Sequence, residues 1–386
     1  MATEKIDLNN LDKSDWKTYR FDEIAQNISE RVDPNNTDLE VYIGLEHIDS
    51  ESLHIKRHGT PDDVNGTKLK FYKDDIIFGR RRAYQRKAGI ATCDGFCSAH
   101  ALVLRANPDV IDPALFPFFM HSDLFMNRAV DISVGSLSPT INWGTLKHQE
   151  FLIPPKGLHK LLSGLLKAAD SNLEKLKYSL DSVSIYRSCV EKEAFKLASF
   201  TPSIKATEYF DKIADGTHDT PKKQSEGYKL LTSKNIVKNK LNLDTDYYLT
   251  KGDYDAVNKR SQVNVNDILF GMIGTVGQVC RVLNEPDYAI KNMGLFKTND
   301  KSKSVGAFYY FKSRTFQHKL LQTLSGTTQK YVSLTYLRNL KLPDHENEEV
   351  KKWIEKEIAF DSVMEELVSK IEDIKILNKS IINKVF

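Results

Sequence analysis

From Leu158 to about Ala198 the chain carries apolar residues at seven-residue intervals: Leu162, Ala169, Leu176, Val183, Val190 and Leu197. A second row, Leu166, Leu173, Leu180 and Ala194, runs four residues behind it and is broken by Arg187. Lys, Glu, Asp, Ser and Asn fill the faces between, and Pro154-Pro155 and Pro202 bracket the stretch. This pattern predicts one long amphipathic helix with a narrow seam, ~60 Å long. The pattern returns at the end of the chain. Trp353, Phe360, Leu367, Ile374 and Ile381 lie seven apart beside Met364, Ile371 and Val385, and Glu357 and Asn378 interrupt the second row. A helix cannot bury such a stripe against itself. Two seams of matched length predict an antiparallel coiled coil, with Leu162, Leu176, Val183 and Val190 facing Phe360, Leu367, Ile374 and Ile381. The alternative is that each helix packs on its own domain.

Before the first long helix the pattern is mixed. WKTYRFDEIAQNISERV predicts a short strand and helix, VYIGLEHID a strand, KLKFYKDDIIFGR a strand pair and SAHALVLRAN a strand. PALFPFFMHSDLFMNRAV predicts a helix, and HQEFLIPP a strand that leads into the long helix. Strands and helices alternate without βαβ spacing, which predicts α+β domains. The same order then repeats. FDEIA at Phe21 recurs as FDKIA at Phe210, DIIFG at Asp75 as DILFG at Asp267, and SVGSLSPTINWGTLKHQEFLIP as TLSGTTQKYVSLTYLRNLKLP. Three matches at one offset of roughly 190 residues predict a tandem duplication. The expected division is a flexible 1–15, a globular 16–155, a helix 156–199, a globular 200–344 and a helix 345–386.

Composition bounds this picture without redirecting it. The chain has 386 residues, 40% of them hydrophobic, and a formal charge of +3, enough for more than one core and only mildly basic. Charge distribution must therefore decide whether nucleic acid is a partner. Cys93, Cys97, Cys189 and Cys280 lack zinc-finger spacing and read as reduced, buried thiols of a cytoplasmic protein. The opening MATEKIDLNNLDKSDW has no apolar h-region, so no signal peptide is expected, and no run approaches the length of a membrane span.

Candidate chemistry gathers in loops. Arg80, Arg81, Arg82, Arg86 and Lys87, interleaved with Tyr84, form the densest basic cluster and directly follow a strand, where they can meet phosphates. The matching segment of the second copy, Met272 to Val279, is almost uncharged. Ser136, Ser138, Thr140, Asn142 and Trp143 in copy one correspond to Thr327, Thr328, Gln329, Lys330 and Tyr331 in copy two. Such hydroxyl and amide side chains bond phosphates and base edges, and are equally ordinary turn chemistry. Thr217, His218, Thr220, Lys222 and Lys223, with Lys291 and Asn292, form further polar loops. His218 has no companion at metal-ligand spacing. Walker-type and dinucleotide-binding glycine motifs are absent, as is an Asp/Asn-Pro-Pro-aromatic segment.

The order of globular domain, long helix, globular domain, long helix resembles the specificity subunit of type I restriction-modification systems. Trp16 followed by FDEIA, the loops SLSPT and SGTTQ, the leads FLIPP and KLP, and DGTHDTPKK at Asp215 to Lys223 are similar to stretches of that family. The resemblance covers essentially the whole chain. It implies a non-catalytic subunit whose two target-recognition domains, related by a pseudo-twofold axis, read a bipartite, asymmetric double-stranded DNA sequence. It implies docking of two adenine methyltransferase subunits and two translocase/nuclease subunits, which would supply S-adenosylmethionine, ATP and Mg chemistry; this chain would hold no cofactor or metal. Two other readings remain open at this point: a self-contained DNA-modifying or DNA-cleaving enzyme, and a coiled-coil adaptor that binds only protein.

Overall fold

The computed structural model describes Leu8 and residues 11–324 and 331–386. The long helices run Lys156–Ala194 and Glu348–Val385. The chain forms two compact units, one of Met1–Tyr178 with Val368–Phe386 and one of Ser179–Leu367. Both boundaries fall inside the long helices.

In the first unit the entering strand Lys17–Arg20 pairs antiparallel with the leaving strand Glu150–Ile153, Lys17 opposite Ile153. A single helical turn, Phe21–Ile24, buries Phe21 and Ile24. An antiparallel sheet follows in the order Ala25–Ile28, Ala101–Ala106, Ile76–Gly79, Ala88–Ile90. A second sheet runs Arg31–Val32, Lys68–Phe71, Gly95–Cys97, Tyr42–Ile43, its last pair parallel. The strand expected over Val41 to Asp49 shrinks to two residues because the chain turns at Gly44, whose amide donates to His47 Nδ1 at 3.0 Å. The helix expected from Pro113 onward is two, Phe116–His121 and Asp123–Asp131. They break at buried Ser122, whose Oγ accepts from the Phe125 amide at 3.1 Å and so caps the second. Phe21, Phe119, Phe125 and Phe151 meet with ring centroids 5.2 to 6.0 Å apart, in the favourable range for aromatic pairs.

The second unit repeats this plan. Its entering and leaving strands are Ile204–Lys205 and Lys341–Leu342, and its main sheet is Lys212–Asp215, Met293–Lys297, Ile268–Gly271, Val279–Arg281. The parallel pair reappears as Tyr228–Thr232 with Tyr288–Lys291. Ser313 caps the helix Arg314–Leu324 as Ser122 does its counterpart, with its Oγ accepting from the Phe316 amide at 3.2 Å. The duplication is therefore structural as well as sequential. The copies differ where the first carries the strand Lys68–Phe71 and the second the helix Lys251–Ser261.

The heptad rows serve two kinds of partner. Leu162 and Leu166 from the first long helix, and Ile381, Val385 and Phe386 from the second, pack into the aromatic core of the first unit. In the second unit Trp353 lies 5.3 Å from Phe195 and 5.6 Å from Phe200, with Val190 against them. Terminal turns thus do pack on domains, while nearer the middle one helix meets the other. Tyr186 and Phe360 stack edge to face at 5.7 Å. Arg187, which interrupts the first seam, meets Glu357, which interrupts the second, through Nε at 2.8 Å, and its Nη1 donates to Asp361 at 2.8 Å. Leu176, Val183, Leu367 and Ile374 are half-buried. The first helix ends at Ala194 rather than near Ala198, because Phe195 turns into the aromatic cluster and leaves Leu197 exposed.

Polar ties hold the loop before the first 3-10 turn of the first unit to its helix. His54 Nε2 lies 2.8 Å from Asp170, and Lys56 lies 2.6 Å from Glu174. The Asp170 hydrogen bond raises the His54 pKa against the opposing effect of burial. Burial resists ionisation of Glu174, yet bonds from Lys177 and Lys56 outweigh it and bring its carboxyl to about 2. A raised folded-state histidine pKa gives stability that is fully present below the ordinary value of about 6.5 and is lost as pH rises through the raised one. Melting curves of wild type and His54→Gln should therefore differ most at mildly acid pH and converge in alkaline buffer. A gap that widens with pH would show that the pair does not act this way.

Two of the four thiols depart from the expectation of burial: Cys93 and Cys189 are exposed. Cys97 and Cys280 are buried, and desolvation pushes both thiols up to about 12. Among the described residues no helix is long and apolar enough to cross a membrane, and no group of three His, Cys, Asp or Glu is placed to hold a metal ion.

Candidate nucleic-acid interface

In the first unit the fully buried strand Ile76–Gly79 delivers the chain to the surface at Arg80. The loop that follows contains the 3-10 turn Ala83–Gln85, flanked by Arg82 and Arg86 in the left-handed region at φ 57° and 51°. Non-glycine residues adopt that conformation at a cost of roughly 1–2 kcal/mol, so something must hold both ends. One end is held by the Ser/Thr loop. The Arg82 amide donates to Pro139 O at 2.7 Å, the Ile141 amide to Arg80 O at 2.9 Å, and Arg81 bridges Thr140. The Arg81 side chain donates through Nε to Ser138 Oγ at 2.9 Å. Basic cluster and Ser/Thr loop, more than fifty residues apart in sequence, are thus one surface strip. Arg81, Arg82, Tyr84 and Ser136 are exposed on it. Burial, and then the charges of Arg81, Arg80 and Lys68, hold the neighbouring His100 below the ordinary imidazole value. His100 escaped the sequence reading because nothing in its local pattern marks it; its carbonyl accepts the Arg80 amide at 3.2 Å.

Not every residue of the cluster faces outward. Arg86 is mostly buried and pairs with Asp123 and, at 3.5 Å, with Glu51. Lys87 donates to Leu45 O at 2.6 Å. Trp143 begins the short helix Trp143–Leu146 and sets its ring 5.8 Å from Phe21 at the edge of the core, beside exposed Asn142. Apolar Leu137, 93% exposed, stands beside Ser136 and Ser138 at the loop tip.

The same place in the second unit has the same frame and other chemistry. The Val332 amide donates to Met272 O at 2.9 Å and Ile273 bridges Tyr331, as Ile141, Arg80, Arg81 and Thr140 do in the first. Here the hairpin loop is a glycine turn. Gly277 sits at φ 86°, and an added Cβ would lie 2.7 Å from Leu320. Thr327, Thr328, Gln329 and Lys330 fall outside the described residues. The polar residues of this unit gather instead around the end of Tyr288–Lys291. Thr217 bridges Lys291, and the Asn292 amide donates to Thr217 O at 3.2 Å. His218 Nδ1 lies 3.0 Å from Asn292 Oδ1, and its Nε2 lies 2.8 Å from Asp215. Lys291 Nζ bonds Thr220 Oγ1, and Arg260 pairs with buried Asp215. Two loops seventy residues apart are therefore one cluster. Lys222 is exposed, and Lys223 pairs with Asp246.

Comparison with known proteins bears on what such surfaces do. Residues 201–379 match the family model of the type I restriction modification DNA specificity domain. A 144-residue stretch is 28% identical to the type I restriction enzyme EcoDI specificity subunit of Escherichia coli, covering 37% of this chain and 32% of that protein. The chain thus spans about a third of that relative's length. The crystal structure of the type I restriction-modification S subunit from M. genitalium is similar over 98% of this chain and 97% of its own, with TM-score 0.61 and 13% identity. A chain from work on complex assembly and conformational transition of the type I R-M system is similar over 96% and 97%, with TM-score 0.58 and 17% identity. The resemblance seen in the sequence therefore holds: residues 201–379 match the DNA specificity domain of that family, and the chain as a whole has the fold of a type I restriction-modification specificity subunit.

Proposed function

We propose that this chain is the DNA sequence-recognition subunit of a type I restriction-modification complex, that it is not itself an enzyme, and that each unit reads one half of a bipartite, asymmetric target. The observation that carries this reading is one frame used twice with different side chains. Arg80, Arg81, Arg82 and Tyr84 occupy the hairpin of the first unit, where the second has Met272, Ile273 and glycines. Arginines position a protein on phosphates, and short polar or apolar groups distinguish bases in the major groove. Ser136, Ser138, Thr140 and Asn142 would serve the first half-site; Thr217, His218, Thr220, Lys222, Lys223, Lys291 and Asn292 the second. Two such unlike surfaces suit two unlike half-sites.

The long helices would fix the spacing and dock partner subunits. Exposed Leu161, Leu165, Tyr178, Ile185, Ile376 and Leu377 lie on them outside the seam and suit burial against other chains. The partners would be two adenine methyltransferase subunits, working on flipped adenines with S-adenosylmethionine, and two ATP- and Mg-dependent translocase/nuclease subunits, all in the cytoplasm. The test is methylome sequencing of cells that carry this chain with its methyltransferase. The expected motif is two different short half-sites around a fixed unspecified gap. One continuous or palindromic motif would sink the two-reader model.

A further inference from the structure

The left-handed turn of the first unit is held at its second end by something the DNA-contact reading does not use. Arg86 closes that turn and its guanidinium bonds Asp123. Asp123 opens the helix Asp123–Asp131 and is bound from the other side by the last turns of the second long helix. Its amide donates to Asn383 Oδ1 at 2.8 Å, its Oδ2 accepts from Asn383 Nδ2 at 2.6 Å, and Lys379 lies 3.7 Å away. Burial opposes charge on Asp123, but the bonds from Arg86 and Asn383 prevail and hold its carboxyl below the usual range.

The second unit makes the same connection with other groups. Glu191 of the first long helix, one place before the residue that the heptad rows align with Asn383, accepts from the Thr315 amide at 2.9 Å, at the start of the equivalent helix Arg314–Leu324. Gln317 of that helix donates to Gly277 O, in the equivalent hairpin, at 2.8 Å. Glu191 is buried. A route from long helix to helix start to hairpin is thus built twice, from unlike side chains, which single surface contacts would not repeat.

We propose that Asp123 is a positioning residue that couples the DNA-contacting turn Arg82–Arg86 to the end of the second long helix through Arg86 and Asn383, so that the state of the helix sets the readiness of the turn. This rests on the reading that Arg81 and Arg82 contact DNA. Coupling is reciprocal, so DNA should also quiet the helix end.

The experiment uses the full chain, a fluorescein-labelled random-sequence DNA duplex and a temperature at which circular dichroism shows every variant folded. Asn383→Ala is expected to weaken binding by roughly fivefold to tenfold with an unchanged salt slope, because no phosphate contact is removed. Asp123→Ala is expected to weaken binding at least as much, and Asp123→Ala joined to Asn383→Ala no further than Asp123→Ala alone, because both cut the same route; additive losses would overturn the coupling. Hydrogen exchange over 376–386 is expected to slow when DNA binds wild type and to stay unchanged in Asn383→Ala. If Asn383→Ala binds as wild type does while Arg81→Ala with Arg82→Ala binds weakly, the coupling is wrong and the DNA surface stands. If neither variant alters binding, both fall.

Discussion

Replacing Arg81 and Arg82 together by alanine lowers affinity for a random-sequence DNA duplex by on the order of tenfold at moderate salt and flattens the plot of log affinity against log salt by about 2. On the proposed reading each exposed guanidinium would neutralise one phosphate and release its counterion, so each would contribute roughly one unit of slope. The matched control is Lys87→Met. Sequence puts Lys87 in the same cluster, but its ammonium is spent on Leu45 O, so its loss leaves the slope unchanged. Fluorescence anisotropy titrations at several salt concentrations measure both. An equal change in the two variants would mean that net charge, rather than this strip, governs binding.

Arg187→Met is the second large effect, and it falls on stability. Arg187 and Glu357 have side chains only 17% and 5% exposed, and removing one partner of a buried pair costs about 3–5 kcal/mol because the other charge is stranded. Arg187 is nearer the rim of that class, so a loss of about 3 kcal/mol in urea unfolding is expected. Adding Glu357→Met should return most of it, since an apolar pair of similar volume restores the seam that both residues interrupt. Burial already raises the Glu357 carboxyl, with Arg187 pulling the other way. Without Arg187 the rise is greater. A carboxyl whose folded pKa is raised favours folding at low pH and loses that advantage as pH climbs past its unfolded value, about 4.3. The deficit of Arg187→Met should therefore be larger at pH 8 than at pH 5. Additive costs in the double variant would show that the two side chains do not act as a pair.

These two cases mark what a sequence can and cannot disclose. The duplication and both long helices are legible because they rest on local periodicity and self-similarity, which one strand of text carries completely. Arg187 and Glu357 are each visible as a fault in a hydrophobic row. That the faults answer one another is a contact 170 residues apart, and no local pattern encodes it. The basic cluster shows the same limit. Five neighbouring basic residues look alike in composition, yet the backbone sends Arg81 and Arg82 outward beside Tyr84 and turns Arg86 and Lys87 toward acceptors in their own unit. Direction is set by the two left-handed residues, which are not glycine or asparagine and so give no signal. Trp143 reads as a surface ring from its polar neighbours and is pulled to the core edge by Phe21, 122 positions earlier. His218 fails as a metal ligand on spacing alone, but only folding brings Asn292 to it.

The neck of the first unit has a further consequence. Lys17 and Ile153 are opposite one another in register, so everything between them leaves and re-enters the frame through a single two-strand gate. Ile204 and Leu342 do the same in the second unit. A lobe hung this way can be exchanged for another of different sequence and length, provided that the gate is kept together with the side chains that meet the helices, such as Phe119 against Phe386 and Asp123 against Asn383. If each unit reads one half-site, as proposed, new target preferences would then arise by recombination of whole lobes at the necks, one half-site at a time, while the retained helices would keep their fit to partner subunits.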